Sequence, residues 1–181
     1  MKTMRCLCVY ALTLLVLSVS VITHPAAAQA NGIVVVDMQQ LEGMSLAGKA
    51  LREKIKEKRD SLRAEITKEE TSLRAEQQKI MASRKDLSEE DFKAKAMAFD
   101  AKFKGKQEKF AKKREAFEKS ALEAHGKLRS EVVSVVGTIS NEKKYTLVVS
   151  RQAVVIVEKT IDITSEAMKR LNENVKSIPF K

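Results

Sequence analysis

The chain has 181 residues, a formal net charge of +10 and two cysteines, Cys6 and Cys8. This length predicts one domain with an appendage. Both cysteines lie in a segment typical of a cleaved leader, so the rest of the chain can form no disulfide and no thiolate site. It must therefore hold its shape by packing alone.

Residues 1–30 are predicted to be a secretory signal peptide. A basic start precedes an apolar run over residues 7–22, and the small residues of "AAAQA" place cleavage after Ala28 or Ala30. The alternative is a retained membrane anchor, for which the apolar run is short. Loss of the two basic residues of this segment, which contains no acid, lowers the net charge from +10 to +8.

The exported part begins with a short strand and a long helix. Ile33 to Asp37, "IVVVD", is β-branched and predicts the strand. The helix is expected to begin in the low forties. Large apolar residues then recur every eleven positions, which is almost three helical turns: Leu51, Leu62 and Leu73, with Ile55 and Ile66. So thin a stripe suits one partner helix rather than a globular core.

The partner helix follows directly in the sequence. "SRKDLSEEDF" interrupts the pattern, and Ser88 is placed to cap a new helix with three acidic residues in its first turn. Phenylalanines then recur at coiled-coil spacing: Phe92, Phe99, Phe103, Phe110 and Phe117. The two helices are predicted to pack as an antiparallel hairpin of about forty residues each. The alternative interpretation is that some of these rings face outward and form an apolar contact surface.

The C-terminal part is predicted to return to strands. "YTLVVS" and "AVVIVE" flank a tight "RQ" connection and predict a β-hairpin. An amphipathic helix is expected around Glu166 to Asn172, with Thr164 as its N-cap. Placing the first strand beside this hairpin makes an α+β fold, with the helical hairpin as a long insertion. Three short strands bury little, so we expect the body to self-associate.

Two motifs with possible chemistry have simpler explanations. Gly43 and Gly48–Lys49 match the spacing of a phosphate-binding loop, but Ala50 lacks the hydroxyl that would hold magnesium. A helix start with small residues at a close contact is the better interpretation. His125 is the only histidine after residue 30, and one histidine with no cysteine cannot build a soft metal site, so a helix-surface residue is the better interpretation. We therefore expect no cofactor, no metal site and no enzymatic activity.

The second helix carries a strong excess of positive charge. Residues 93–119 contain ten basic and four acidic side chains, more than solubility requires. The candidate residues for binding a client or an anion are Lys93, Lys95, Lys102, Lys104, Lys106, Lys109, Lys112, Lys113 and Arg114. An exported protein meets little nucleic acid, so the expected anionic partners are lipid headgroups, lipopolysaccharide or acidic proteins. The alternative is an ordinary solvated helix face.

Five segments in this order resemble the Skp family of periplasmic chaperones, also called OmpH-like proteins. They are "IVVVDMQQL", "AGKAL", "FAKKREAF", "YTLVVSRQAVV" and "IDITSEAMKRLN". The resemblance implies a periplasmic homotrimer with a small β-rich trimerisation body and a long antiparallel coiled-coil hairpin arm on each subunit. It implies ATP-independent holding of unfolded outer-membrane proteins in a cavity between the arms. Lys113 lies in a segment that matches a lipopolysaccharide site proposed for the family, although the arginine pair expected just beyond is missing.

This organisation predicts where each part begins and ends. Residues 31–50 and 129–181 are expected to form the oligomerisation body, and residues 51–128 the arm. A chaperone for unfolded chains is the first hypothesis for the function. The second is a structural envelope protein, in which the arm is a spacer or a lipopolysaccharide tether.

Overall fold

The structure, a computed structural model, describes residues 31–180, so the predicted signal peptide lies outside the described residues. The chain forms strand β1 (Asn31–Val36), helices α1 (Met38–Met44), α2 (Leu46–Ala82) and α3 (Glu89–Lys143), strand β2 (Tyr145–Ser150) and helix α4 (Thr164–Asn174). Short 3₁₀ turns occupy Ser83–Lys85, Arg151–Ala153 and Lys159–Ile161. Within the described residues, no helix is both long enough and apolar enough to cross a membrane.

The two strands pair in parallel although more than a hundred residues separate them. Their register runs from Asn31 opposite Tyr145 to Val36 opposite Ser150. A parallel pair needs a long crossover connection, and here the whole helical hairpin is that crossover. The expectation that the first strand lies beside the C-terminal strand is confirmed. A single bridge between Val35 and Asp162 extends the pairing on β1.

The predicted β-hairpin is wrong. "YTLVVS" is strand β2, but Arg151–Ala153 forms a 3₁₀ turn and no strand follows it. A β-branched sequence becomes a strand only where its backbone finds a partner. The turn does not return the chain along β2, and the backbone of β1 bonds instead to Ile163, whose N–H donates to the Val35 carbonyl at 2.9 Å. As a result, Val155 and Ile156 are almost fully exposed in the single chain.

The body core lies where the C-terminal half of α3 meets the sheet and α4. Val132 and Ile139 of α3 and Ala167 of α4 have no exposed surface. They pack with Val34, Val36, Leu41, Val135, Val136, Ile163 and Leu171. The second helix is therefore longer than predicted, at 55 residues against 37 for α2, because its last turns belong to the body rather than to the hairpin.

The joint between α1 and α2 explains the glycine-rich segment. Asp37 caps α1 by accepting from the Gln40 N–H at 2.9 Å, and Ser45 caps α2 by accepting from the Gly48 N–H at 3.0 Å. A Cβ on Gly48 would lie 1.9 Å from the Glu42 carbonyl oxygen. The interpretation as a helix start at a close contact is confirmed, although the first helix already begins at Met38.

Of the two predicted N-caps, the one at Ser88 is confirmed and the one at Thr164 is wrong. Ser88 accepts from the Asp91 N–H at 3.1 Å and starts α3, as expected. Thr164 is not the N-cap of α4. It is the first helical residue, and its hydroxyl instead accepts from the Asp37 N–H at 2.8 Å, while Asp162 accepts from the Thr164 N–H at 2.9 Å. The threonine thus joins α4 to the end of β1.

Candidate binding surface of the helical arm

The base of the arm is a packed two-helix seam. The predicted stripe of α2 faces α3: Leu51, Ile55, Ile66 and Leu73 are buried, and Leu62 is half-buried. On α3, Phe110, Phe117, Ala124 and Leu128 are buried against it. The side chain of Phe117 also lies under the Arg59 guanidinium, whose carbon is 5.8 Å from the ring centroid. The coiled-coil spacing therefore predicted this seam correctly.

Toward the tip the seam becomes shallow. Between Leu73 and Phe110 no described apolar side chain is fully buried. Phe92 and Phe99 are half-buried, and Phe103 is 40% exposed. The seam interpretation is therefore confirmed at the base of the arm, and toward the tip Phe103 is the ring of this row that is exposed, so the contact-surface interpretation stays a prediction there.

The half-buried Phe99 and the exposed Phe103 form an apolar surface on the distal arm. Phe99 and Phe103 stack with ring centroids 6.1 Å apart. With Leu73 and Gln77 they line an open cleft of about 410 Å³, which also has charged walls. Met97 and Met81 are exposed nearby in the sequence, at 64% and 57%. Flexible, polarisable methionines suit a surface that must adapt to different partners.

Three of the predicted basic residues form ion pairs across the two helices at the surface of the hairpin. Lys102 pairs with Glu76, Lys106 with Glu69 and Lys113 with Glu65, each at 2.5 Å. As the residue number rises on one helix it falls on the other, so these pairs also record the antiparallel register. The hydrogen bond from Lys113 lowers the pKa of Glu65, and that from Lys106 lowers the pKa of Glu69.

The other six candidates do not meet at one site. Lys93, Lys95, Lys104, Lys109, Lys112 and Arg114 are exposed, and within the described chain none of them forms an ion pair. They extend over residues 93–114, about 30 Å of helix at 1.5 Å per residue. Lys109 and Lys112, with Gly105 and Ala116, line a shallow groove of about 440 Å³. The arrangement is a diffuse positive field rather than a built anion pocket.

Sequence reasoning missed an apolar surface on the body. Ile33 of β1 lies directly opposite Leu147 of β2, and both are about half exposed. Val155 and Ile156 are exposed at 97% and 87%. The expectation of self-association concerned this region, but because the strand prediction was wrong, the sequence did not indicate which of its side chains are exposed.

The C-terminal tail was also missed. After α4, Ile178 is 3% exposed and packs with the residues of the arm base, and Phe180 meets Phe117 edge-on with centroids 6.0 Å apart. The only sequence signal was the apolar spacing of Val175, Ile178 and Phe180 in a short polar segment.

The comparisons with known proteins agree on the architecture. A family model described as outer membrane protein (OmpH-like) matches residues 32–171. A crystal structure of a candidate outer membrane chaperone (OmpH-like) from Caulobacter crescentus CB15 has a TM-score of 0.78 at 22% identity, and the match covers 83% of this chain and 89% of that one. At this identity the structural likeness concerns the fold. Comparison with curated proteins finds no significant match.

Proposed function

Because the chain belongs to the OmpH-like family, we propose that it is an ATP-independent holdase chaperone of the periplasm. It binds unfolded outer-membrane proteins in a cavity between helical arms and prevents their aggregation. The observation that carries this proposal is the distal arm, where Phe103 and Met97 remain exposed beside an excess of lysines.

This surface suits an unfolded β-barrel chain. Such chains expose apolar residues at alternating positions. A shallow apolar surface makes many weak contacts with them rather than one tight one. Many contacts that are each weak can together retain a client. They can also break one at a time, so the client is released without nucleotide. The lysines raise the encounter rate with an acidic client, because electrostatic complementarity acts mainly on association.

The cavity requires more than one copy of the chain. A two-stranded sheet is marginal by itself, and the apolar pair Ile33 and Leu147 faces away from the protomer core. We propose that residues 31–50 and 129–181 form a homotrimeric body. The subunits would meet through the apolar surface of Ile33, Leu147, Val155 and Ile156. Residues 51–128 then project as one arm per subunit.

An aggregation assay tests the proposal. A urea-unfolded β-barrel outer-membrane protein is diluted into buffer with and without this protein, in the absence of nucleotide, and light scattering is followed. We expect suppression at a stoichiometric ratio of trimer to client. Scattering unchanged at a large excess would overturn the holdase role and favour an envelope spacer or lipopolysaccharide tether.

A further inference from the structure

The C-terminal tail covers an apolar groove at the base of the arm. The groove, called here the tail groove, is formed by side chains of α2 and α3: Leu51, Ile55, Phe117, Ala121, Ala124 and Leu128. Ile178 is buried in it, and Phe180 lies edge-on against Phe117. The match to the family model ends at Leu171, so the tail lies beyond the matched region.

The tail is attached by apolar contacts alone. The last backbone hydrogen bond before it is from the Val175 N–H to the Leu171 carbonyl, at 2.8 Å. Within the described chain, residues 176–180 form no hydrogen bond and no ion pair. The apolar contacts of Val175, Ile178 and Phe180 must therefore offset the entropy lost in ordering the whole segment. Such a segment belongs to the parts of a protein that open locally without global unfolding.

Basic side chains predominate beside the tail groove, and the tail offers them no acidic partner. Arg59 lies over Phe117 and, with Arg52 and Lys56, lines a cleft beside Ile55 and Leu128. Glu42 is the acidic residue of this lining, so three basic side chains stand against one acid. The tail brings no negative charge of its own to these side chains, since residues 175–181 contain Lys176 and no acid. An apolar segment that carries acidic residues would occupy the same groove and also pair with these basic side chains.

The anchors of the tail show what shape the groove accepts. Ile178 and Phe180 are two residues apart, with the exposed Pro179 between them. This is the alternation of an extended chain. It is also the alternation of apolar residues in the strands of membrane β-barrels.

We propose that the tail groove is a second client-binding site and that the C-terminal tail is its displaceable occupant. The site takes an extended segment in which bulky apolar residues alternate with acidic ones. This inference rests on the proposed holdase function and adds a location at the arm base to the distal surface. The tail keeps the groove covered until a better-matched segment replaces it.

A spin label on the tail tests displacement directly. Protein beginning at Asn31 lacks both native cysteines, so Ser177→Cys gives one labelling position on an exposed tail residue. The probe is a synthetic peptide of alternating Phe and Asp, and the control peptide carries Lys in place of Asp. We expect the acidic peptide to mobilise the label and the basic peptide not to. An acidic peptide that binds without mobilising the label would bind elsewhere and would overturn the proposal.

Variants of the tail give a second, independent measurement. In Ile178→Ser/Phe180→Ser the anchors are weakened and the groove is intact. If the groove is uncovered in about a tenth of the molecules, freeing it raises the apparent affinity for the acidic peptide by up to about tenfold. Ser177→Ala, an exposed change in the same tail, should leave the affinity unchanged.

The outcomes separate this inference from the holdase function. Unchanged or weaker peptide binding by the folded double variant would make the tail a structural strap and overturn the proposal. Suppression of aggregation by the unsubstituted protein would then still support the holdase role. If the double variant does not fold, the spin-label experiment on the native anchors decides.

Discussion

At the level of single residues, Gly48 is constrained by contact rather than by backbone conformation. Its position at the start of α2 brings it against the carbonyl of Glu42 in α1, and it is buried within the joint. Gly126 lies in the middle of α3, where an added Cβ would meet no atom within 4 Å. The same substitution is therefore expected to have opposite effects at the two positions.

Gly48→Ala should destabilise the protein by about 1–3 kcal/mol or more, because the joint must open to admit a methyl group. Gly126→Ala should stabilise it by roughly 0.5–1 kcal/mol, since alanine is the better helix former. Urea unfolding followed by circular dichroism measures both. Equal effects at the two positions would show that helix propensity alone governs them.

An ion cluster joins the end of α3 to α4. Lys143 donates a hydrogen bond to Glu166, and Arg170 bonds to both Glu166 and Glu142. The hydrogen bond from Lys143, followed by that from Arg170, lowers the pKa of Glu166 below its usual value of 4.5. This contribution to stability is present above about pH 4.5 and disappears as the pH falls through the lower, folded-state value.

Glu166→Gln should therefore reduce the loss of stability on acidification from pH 6 to pH 3. The change in this pH-dependent stability is expected to be at most about 1 kcal/mol, because the ion cluster around Glu166 is partly solvated. Glu173→Gln is the control, since Glu173 lies on the same helix and is exposed without an ion pair in the described structure. Unfolding curves measured across this pH range test it, and identical pH profiles for Glu166→Gln and the unsubstituted protein would rule out the linkage.

At the level of elements, the basic residues of the arm fall into two groups, one paired across the helices and one exposed without an ion pair in the described structure. Lys102, Lys106 and Lys113 hold α3 to α2 through Glu76, Glu69 and Glu65. Lys104, Lys112 and Arg114 are exposed on the same helix and, in the described structure, form no such pair. Two triple variants with equal loss of charge can therefore be compared.

Both sets, changed to Gln, should lower the association rate with an acidic unfolded barrel protein by at least about threefold at low salt, because both weaken the positive field. Only the paired set should also lower the thermal stability of the arm. Added salt should mimic the exposed set, since screening shortens the field to about 8 Å at physiological strength. Stopped-flow binding and thermal melts measure the two effects. An association rate unaffected by salt and by both variants would leave these lysines as a solvated helix face.

At the level of the whole molecule, we expect the proposed trimer to depend on the body rather than on the arm. Val155→Asp/Ile156→Asp should abolish self-association without unfolding the protomer, because both side chains are almost fully exposed in the single chain. Leu122→Asp is the matched control, since Leu122 is 76% exposed but lies on the arm. Native mass spectrometry with far-ultraviolet circular dichroism reads both properties. A double variant with the mass of the unsubstituted oligomer would place the interface elsewhere.

The helical hairpin could be predicted from the sequence because the information for it is local and periodic. The eleven-residue stripe of α2, the phenylalanine spacing of α3 and the cap at Ser88 each need only neighbours within a few turns. Those features specify two helices and the faces that they present to each other. The resemblance to the OmpH-like family was likewise carried by short ordered segments.

Local sequence patterns could not predict which residues pair with distant parts of the chain. The segment from Val154 to Glu158 has the composition of a strand and forms none, because strand formation depends on a free backbone partner. Which lysines pair with glutamates depends on the register of α3 against α2, and the packing of Ile178 and Phe180 depends on where α4 ends relative to the arm. These contacts join residues far apart in the chain, so the periodicity of the sequence does not predict them. They are determined by the three-dimensional packing of the elements.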